Sequence, residues 1–461
     1  MAALIRTGGL AVWPAVQADE GLWTNSPKNF LMFGDWFMDG RTHLFLSPVF
    51  HGLSLAAFYL VGPSIWSARL VSAAAGTLST PLLYLIVRRT DSDRKLALIA
   101  AVVFGMTQTI VFVSRSALIE STELAFLLAA ALLALSSSAL PLVVCGLMLG
   151  IALLTKLNVV FFAPVLLIYL FAAPAGSDRW SHLRRGLGRA ALVLGIAAIV
   201  SGAGYFSLHL YQPERFLAAF KFELDGVHFE SISHPLVRIG RFGLDPGQIA
   251  ETILLLFRRS PSFLVLCTLG AVQEVIQPTP GRRLFLAWLL VASSFFLLQM
   301  YQPTRYFYLV TPAYAYYAAT AIDRFGAVER GRAGTGRLSS STVVLATYLV
   351  FQVAFVGAGF AVNRDEKLAP VTRWAAGNTE PDDRVMAAGY FCTDLPRRAY
   401  AFYRYDASEE EFAASIRELD ISYVIYDKDE WGEVRRGWLD RHYRIVKSWP
   451  FGAVYRTREE R

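Results

Sequence analysis

Two adjacent carboxylates, Asp19 and Glu20, stand where an apolar amino-terminal stretch gives way to a long, aromatic-rich segment. Ionisable groups beside an apolar segment are costly, so such a pair reads either as a catalytic acid–base element or as the helix cap of an interfacial segment, with Asp19 accepting from backbone N–H groups. A second acidic pair, Glu120 and Glu123, follows Arg115 by five and eight residues at the start of an apolar run. It reads either as further chemistry or as acids favoured by the dipole of a first helical turn, and the dipole explains Glu123 better than Glu120. Lys156 lies between two apolar runs, as a point-charge partner for a phosphate or as a lysine snorkelling to an interface. Arg305, in Gln302-Pro303-Thr304-Arg305-Tyr306, is its parallel. With Arg69, Arg115, Arg258 and Arg259, these cations suit an anionic head group. His209, His228 and His234 share a segment with Glu223, Asp225 and Glu230; Glu223 and His228 are the candidate ligands of a divalent metal, although no spacing matches a known ligand motif and a solvated loop explains them as well.

The elements that must position these groups follow from composition. Of 461 residues, 54% are hydrophobic and 18% charged, against about 25% charged in globular chains. Apolar runs approaching the ~20 residues that cross a bilayer recur from Ser64 to Phe360. The spans expected are Met1–Val16, Ser64–Val87, Leu96–Val113, Ser121–Leu135, Leu140–Thr155, Leu157–Ala173, Leu187–Leu208, Ser260–Ile276, Leu284–Met300, Tyr306–Ile322 and Ser341–Phe360, about eleven transmembrane helices. The first is short for a span: either it is marginal or the true start lies upstream. No cleavable signal peptide is evident.

The net charge of +7 is read as membrane topology, not as nucleic-acid binding, because Lys and Arg gather in short cytoplasmic loops. If His43–Val61 lies along the interface, the loops around Arg88/Arg89, Arg184/Arg185, Arg282/Arg283 and Arg324/Arg330 fall on the cytoplasmic side. The long segments 17–63 and 209–259 then lie outside, with Asp19, Glu20, Glu120 and Lys156. Arg258 and Arg259 are exceptions to the charge rule or a phosphate site. The three cysteines, Cys145, Cys267 and Cys392, give neither a disulfide framework nor a metal motif.

After residue 362 the composition becomes that of a soluble domain. Strands are expected at Arg384–Tyr390, Tyr423–Tyr426, Tyr443–Trp449 and Ala453–Arg456, with helices near Ser408–Leu419 and Glu430–Leu439. The fold expected is a polytopic α-helical membrane domain, residues 1–362, followed by a small extracytoplasmic α/β domain, 363–461, without a Gly-rich phosphate loop.

In this order the motifs resemble those of membrane glycosyltransferases with the C-type fold, in the protein O-mannosyltransferase and lipid A aminoarabinose transferase branch. The resemblance rests on Asp19-Glu20-Gly21-Leu22-Trp23 and Gly34-Asp35-Trp36, then Ser47-Pro48, Val61-Gly62-Pro63-Ser64 and Ala68-Arg69-Leu70. It continues through Ser114-Arg115-Ser116-Ala117-Leu118-Ile119-Glu120, Leu154-Thr155-Lys156 and Arg305-Tyr306 with Pro312. Glu120 stands where relatives commonly carry Asp, and Leu46-Ser47 replaces a Glu-Lys pair common before the proline.

The resemblance implies transfer of a sugar from a polyprenyl-phosphate donor to a lipid, glycan or protein acceptor at the outer face of a plasma membrane, with inversion. It also implies Asp19 as base, Glu20 and Glu120 orienting the acceptor, and Arg69, Lys156 and Arg305, with Arg258 and Arg259 as weaker choices, holding phosphate. A transporter or flippase for a lipid-linked or anionic glycan is the alternative; a membrane scaffold whose tail binds a partner is a third reading.

Overall fold

The computed structural model describes residues 2–36, 43–172, 179–225, 237–239, 242–276, 281–298, 304–330, 340–362, 366–402 and 408–457. They form two compact units. The first comprises Met1–Gly8, Ser72–Arg115 and Ile119–Ala361; the second comprises Gly9–Val71, Ser116–Leu118 and Val362–Arg461. One break between the units falls at Ala361/Val362, and Gly9–Val71 groups with the carboxyl-terminal residues.

The first unit is helical and apolar. Ile65–Asp91, which begins before it in the chain, Leu183–Tyr211 and Ser340–Ala361 are each long and apolar enough to cross a membrane. Two bent pairs, Arg94–Met106 with Gln108–Arg115 and Pro246–Arg259 with Pro261–Ile276, bring the total to five among the described residues if each pair is one span. The remaining apolar helices, such as Ala139–Thr155, are shorter. The expected continuous crossing Leu96–Val113 is thus broken at Thr107, by 56°. At the amino terminus the regular helix covers only Ala2–Thr7, so the expected Met1–Val16 span is corrected: Gly8 and Gly9 follow the helix, and Pro14 lacks the N–H a helix would use. Pro261–Ile276 packs on Thr311–Arg330 so closely that a Cβ on Gly270 would come within 1.7 Å of the Tyr317 carbonyl oxygen. Small residues permit such backbone approach where lipid offers little hydrophobic drive to associate. Polar pairs join elements in the same unit: Lys95 meets Asp323 at 2.7 Å and Arg324 meets Glu274 at 3.1 Å.

The second unit contains helix Pro48–Val61, whose 14 residues fall short of a bilayer crossing. Its Phe50, His51, Ser54 and Phe58 are buried while Leu53, Tyr59, Leu60 and Val61 are exposed, the two-faced pattern of a helix lying along an interface. Beyond a short hairpin in the first unit, β1 (Val237–Ile239) with β2 (Phe242–Leu244), the strands belong to this second unit: β3 (Arg384–Ala387), β4 (Arg398–Ala401), β5 (Tyr423–Asp427), β6 (Arg444–Trp449) and β7 (Gly452–Arg456). They form one sheet in the order β4-β3-β5-β7-β6, with β4, β3 and β5 parallel and β7 and β6 antiparallel.

Alternation along the strands builds two layers. Val385, Ala387, Tyr423 and Ile425 face helix Leu368–Asn378 through Leu368, Val371 and Ala375. Met386, Val424 and Tyr426 face Phe412, Ile416, Trp431 and Leu439 of helices Glu409–Glu418 and Lys428–His442. The strand expected at Arg384–Tyr390 ends at Ala387, because Gly389–Cys392 turns into a helix. Strand β4 was not expected; its four residues, Arg-Ala-Tyr-Ala, carry no β-branched side chain and so give little strand signal.

Candidate functional site

In the second unit the acidic pair opens helix Ala18–Phe33. Its cap falls at Gln17, not at Asp19: Gln17 is extended (φ −94°, ψ 150°) and its N–H donates to Glu20 Oε1 at 3.0 Å. Both acids therefore sit in the first turn, where the helix dipole favours them. Glu20 is fully buried. Arg69 donates to it through Nε to Oε2 and Nη2 to Oε1, each at 2.7 Å, the two-pronged geometry that a guanidinium offers a carboxylate. The Ala117 N–H adds a third donor at 2.7 Å, and Arg69 Nη1 donates to the Leu10 carbonyl at 2.9 Å. Glu20 and Arg69 together thereby tie the helix start to the stretches at Leu10, Arg69 and Ala117. Arg69, expected as a phosphate partner, spends its donors on this carboxylate and on Leu10. Asp19, half-buried, lies one position earlier, about 100° around the helix.

In the first unit, Glu120 and Glu123 lie three residues apart on helix Ile119–Ala134 and so share a face. Lys156 closes helix Ala139–Thr155 with an extended backbone (φ −160°, ψ 128°) and leads into the 3-10 helix Leu157–Phe162. Its Nζ lies 2.9 Å from Glu120 Oε1 and 4.0 Å from the centre of the Tyr306 ring. Arg305, on the 3-10 helix Thr304–Leu309, brings Nε within 3.3 Å of the same oxygen. Glu120 Oε2 and both oxygens of the fully buried Glu123 have no hydrogen-bond partner among the described residues. Two cations converging on one carboxylate oxygen can hold an anion with several oxygens, such as a phosphate, and a tyrosine ring adds a cation–π face.

Further along the 3-10 turn that bears Arg305, Phe307 lines an apolar cavity of about 430 Å³, with Val310, Leu256, Phe257, Val265 and Tyr314.

The other expected residues are not drawn into either constellation by the contacts described. Arg258 and Arg259 are exposed at the end of helix Pro246–Arg259. Glu223 lies in helix Pro213–Asp225, while His228, His234 and Glu230 are outside the described residues; among the described residues no group of three or more His, Cys, Asp or Glu side chains could hold a metal. Sequence reasoning gave Glu123 to the helix dipole and left Tyr306 to the interfacial aromatic belt. The three-residue spacing from Glu120, and the direct adjacency of Tyr306 to Arg305, are the signals that could have placed both beside the cluster.

Residues 47–202 match the family model described as dolichyl-phosphate-mannose-protein mannosyltransferase. ArnT from Cupriavidus metallidurans bound to undecaprenyl phosphate superimposes with a TM-score of 0.73 at 14% identity, over 99% of this chain and 96% of that one. The chain has the C-type membrane glycosyltransferase fold. The archaeal oligosaccharyltransferase AglB from Archaeoglobus fulgidus, in complex with an inhibitory peptide and a dolichol-phosphate, shares this fold with a TM-score of 0.55 at 12% identity, over 96% and 72% of the two chains. Among curated proteins none matches. The family resemblance read from the motifs is met by the family model over residues 47–202 and, for the fold, by these structures; the transporter alternative is not favoured.

Proposed function

We propose that this glycosyltransferase moves a sugar from a polyprenyl-phosphate donor to an acceptor at the extracytoplasmic face of a plasma membrane, with inversion. The observation that carries the reading is the pairing of Lys156 and Arg305 on Glu120, above the Tyr306 ring and among apolar helices. Burying two cations around one carboxylate is expensive, and an anionic lipid head group is a ligand that would use them. The apolar cavity reached by Phe307 on the same turn suits a length of isoprenoid chain.

In the proposed step the acceptor oxygen or nitrogen attacks the anomeric carbon, and the bond from that carbon to the phosphate oxygen breaks with its electron pair on the phosphate. The acceptor proton passes to the Asp19 carboxylate, a general base. Lys156 and Arg305 stabilise the charge that grows on the departing polyprenyl phosphate. Glu120 holds the two cations in place until phosphate arrives and then orients the acceptor. Glu20 and Arg69 fix the turn that presents Asp19, so Arg69 acts on the base and not on phosphate. Arg258 and Arg259 remain candidates for approaching lipid head groups, and the bilayer is the constant partner.

The test is transfer from a polyprenyl-phosphate sugar in membranes holding matched amounts of wild-type and Asp19→Asn protein. The expected fall is about 10²- to 10⁴-fold, the usual contribution of a general base. Wild-type transfer by the variant would remove Asp19 from the reaction.

A further inference from the structure

In open α/β sheets, ligands bind beyond the carboxyl ends of the strands, at the point where successive connections leave in opposite directions. In the carboxyl-terminal sheet that point lies between β3 and β5: β3 has β4 on one side and β5 on the other. The chain's own helix Ala18–Phe33 occupies the end of β3. A Cβ on Gly21 would lie 1.6 Å from the carbonyl oxygen of Gly389, two residues beyond β3, so only glycine allows this approach. Leu22 joins the core formed by Val385, Ala387 and Ile425.

The contact is mostly polar and repeats every three or four residues along one face of the helix. The Thr24 and Thr393 hydroxyls lie 2.6 Å apart. Asn25 and Asn29 each donate through Nδ2 to the Ala399 carbonyl of β4 at 2.9 Å. Lys28 is fully buried, and its Nζ donates to the carbonyls of Cys392 at 2.7 Å and Arg397 at 3.1 Å, with Leu395 at 3.4 Å. The hydrogen bonds described for this ammonium all go to backbone carbonyls, and burial lowers its pKa to about 8, outweighing the charges of Cys392 and Asp394 that favour the protonated form. A side chain that costs this much to bury marks a position worth defining.

We propose that the carboxyl-terminal sheet, through the β3–β4 connection at the end of β3 and edge strand β4, is a cradle for the helix that carries Asp19 and Glu20, with Lys28, Asn25, Asn29 and Gly21 as positioning residues for the transfer reaction. The tail is then an internal part of the catalytic machinery and not a docking module for a partner. This deepens the reading of Asp19 as base and rests on it for the effect on rate, while the cradle itself has an independent readout.

The experiment uses the full-length protein in detergent and in membranes. Lys28→Met, Asn25→Ala/Asn29→Ala and Lys28→Arg are compared with wild type for amide exchange over residues 18–33 and over strands β3 and β5, and for turnover and donor KM per folded molecule. Expected are at least tenfold faster exchange confined to 18–33, at least a tenfold loss of kcat at unchanged donor KM for Lys28→Met, and partial recovery of both in Lys28→Arg. Gly21→Ala is the harsher variant, and the Asn pair serves if it fails to fold. Unchanged exchange in Lys28→Met and in the Asn pair would overturn the cradle, as would wild-type kcat in both. Full activity of Asp19→Asn would instead sink the base assignment alone, and the exchange measurement would still decide the cradle.

Discussion

The two carboxylates Glu20 and Glu120 sit in similar burial and opposite circumstances. Glu20 accepts four hydrogen bonds: two from Arg69, one from Gln17 and one from Ala117. Glu120 shares a single oxygen between Lys156 and Arg305, and its other oxygen, like both oxygens of Glu123, meets no donor among the described residues. Buried polar groups are normally satisfied, so exceptions mark strain or function. The difference separates a carboxylate that builds the molecule from one that sits in an unfinished polar site. It teaches that the acidic motifs of this chain are not equivalent, although the sequence presents them as a series.

Breaking the satisfied site has the largest expected effect. Arg69→Met strands a buried Glu20 and is expected to destabilise the protein by about 3–5 kcal/mol, seen as a lower melting temperature and less folded protein in the membrane. If Arg69→Met keeps full stability and loses only donor binding, the comparison is wrong and Arg69 belongs with the phosphate. Lys156→Met is the counterpart in the unfinished site. Donor affinity is expected to fall about 100-fold, equivalent to about 2.7 kcal/mol, with stability changed little; titration of purified protein with a polyprenyl phosphate measures it.

The burial of Lys28 gives a pH signature in the satisfied unit. Its ammonium is disfavoured in the fold because burial holds its pKa near 8, below the ordinary 10.5. Sign follows from linkage: below about pH 8 both states carry the proton and the folded state bears the desolvation cost. Between about 8 and 10.5 the unfolded chain keeps the proton and the folded chain releases it, so stability rises with pH. From pH 8 to 10 the rise is on the order of 2 kcal/mol, and thermal unfolding of wild type against Lys28→Met isolates it. A slope identical in both proteins would mean that Lys28 is not desolvated as described. The smallest effect is expected at Glu123. Replacing an unpartnered buried carboxyl by leucine, Glu123→Leu, should raise stability by about 1 kcal/mol, whereas Glu20→Leu should lower it. Destabilisation by Glu123→Leu would show that this carboxyl has a partner in the working protein.

Much of the secondary structure was legible. Helix Ile65–Asp91 falls within four residues of its expected ends, and the tail strands Tyr423–Asp427, Arg444–Trp449 and Gly452–Arg456 lie where alternation placed them, because apolar periodicity and run length are local properties of the chain. The bend at Thr107 was not read from the sequence: the polar run Thr107-Gln108-Thr109 interrupts the otherwise apolar Leu96–Val113, but the partners that engage it are distant, with the Thr107 hydroxyl 2.6 Å from that of Tyr348 and Gln352 accepting from the Gln108 N–H at 2.7 Å. Partners 241 and 244 residues away leave no mark in a local window.

The same division runs through the candidate site. Residue types and their order alone determined that the chain is rich in membrane-spanning sequence, that Asp19, Glu120, Lys156 and Arg305 are its chemically loaded positions, and that the motifs resemble one family. Only the tertiary structure decided that Arg69 pairs with Glu20, that Lys156 and Arg305 meet on Glu120, and that Lys28, unremarkable in sequence, is buried against the carboxyl-terminal residues. The reason is physical: a charge has a meaning only through its partner, and these partners are brought together by folding across tens to hundreds of residues.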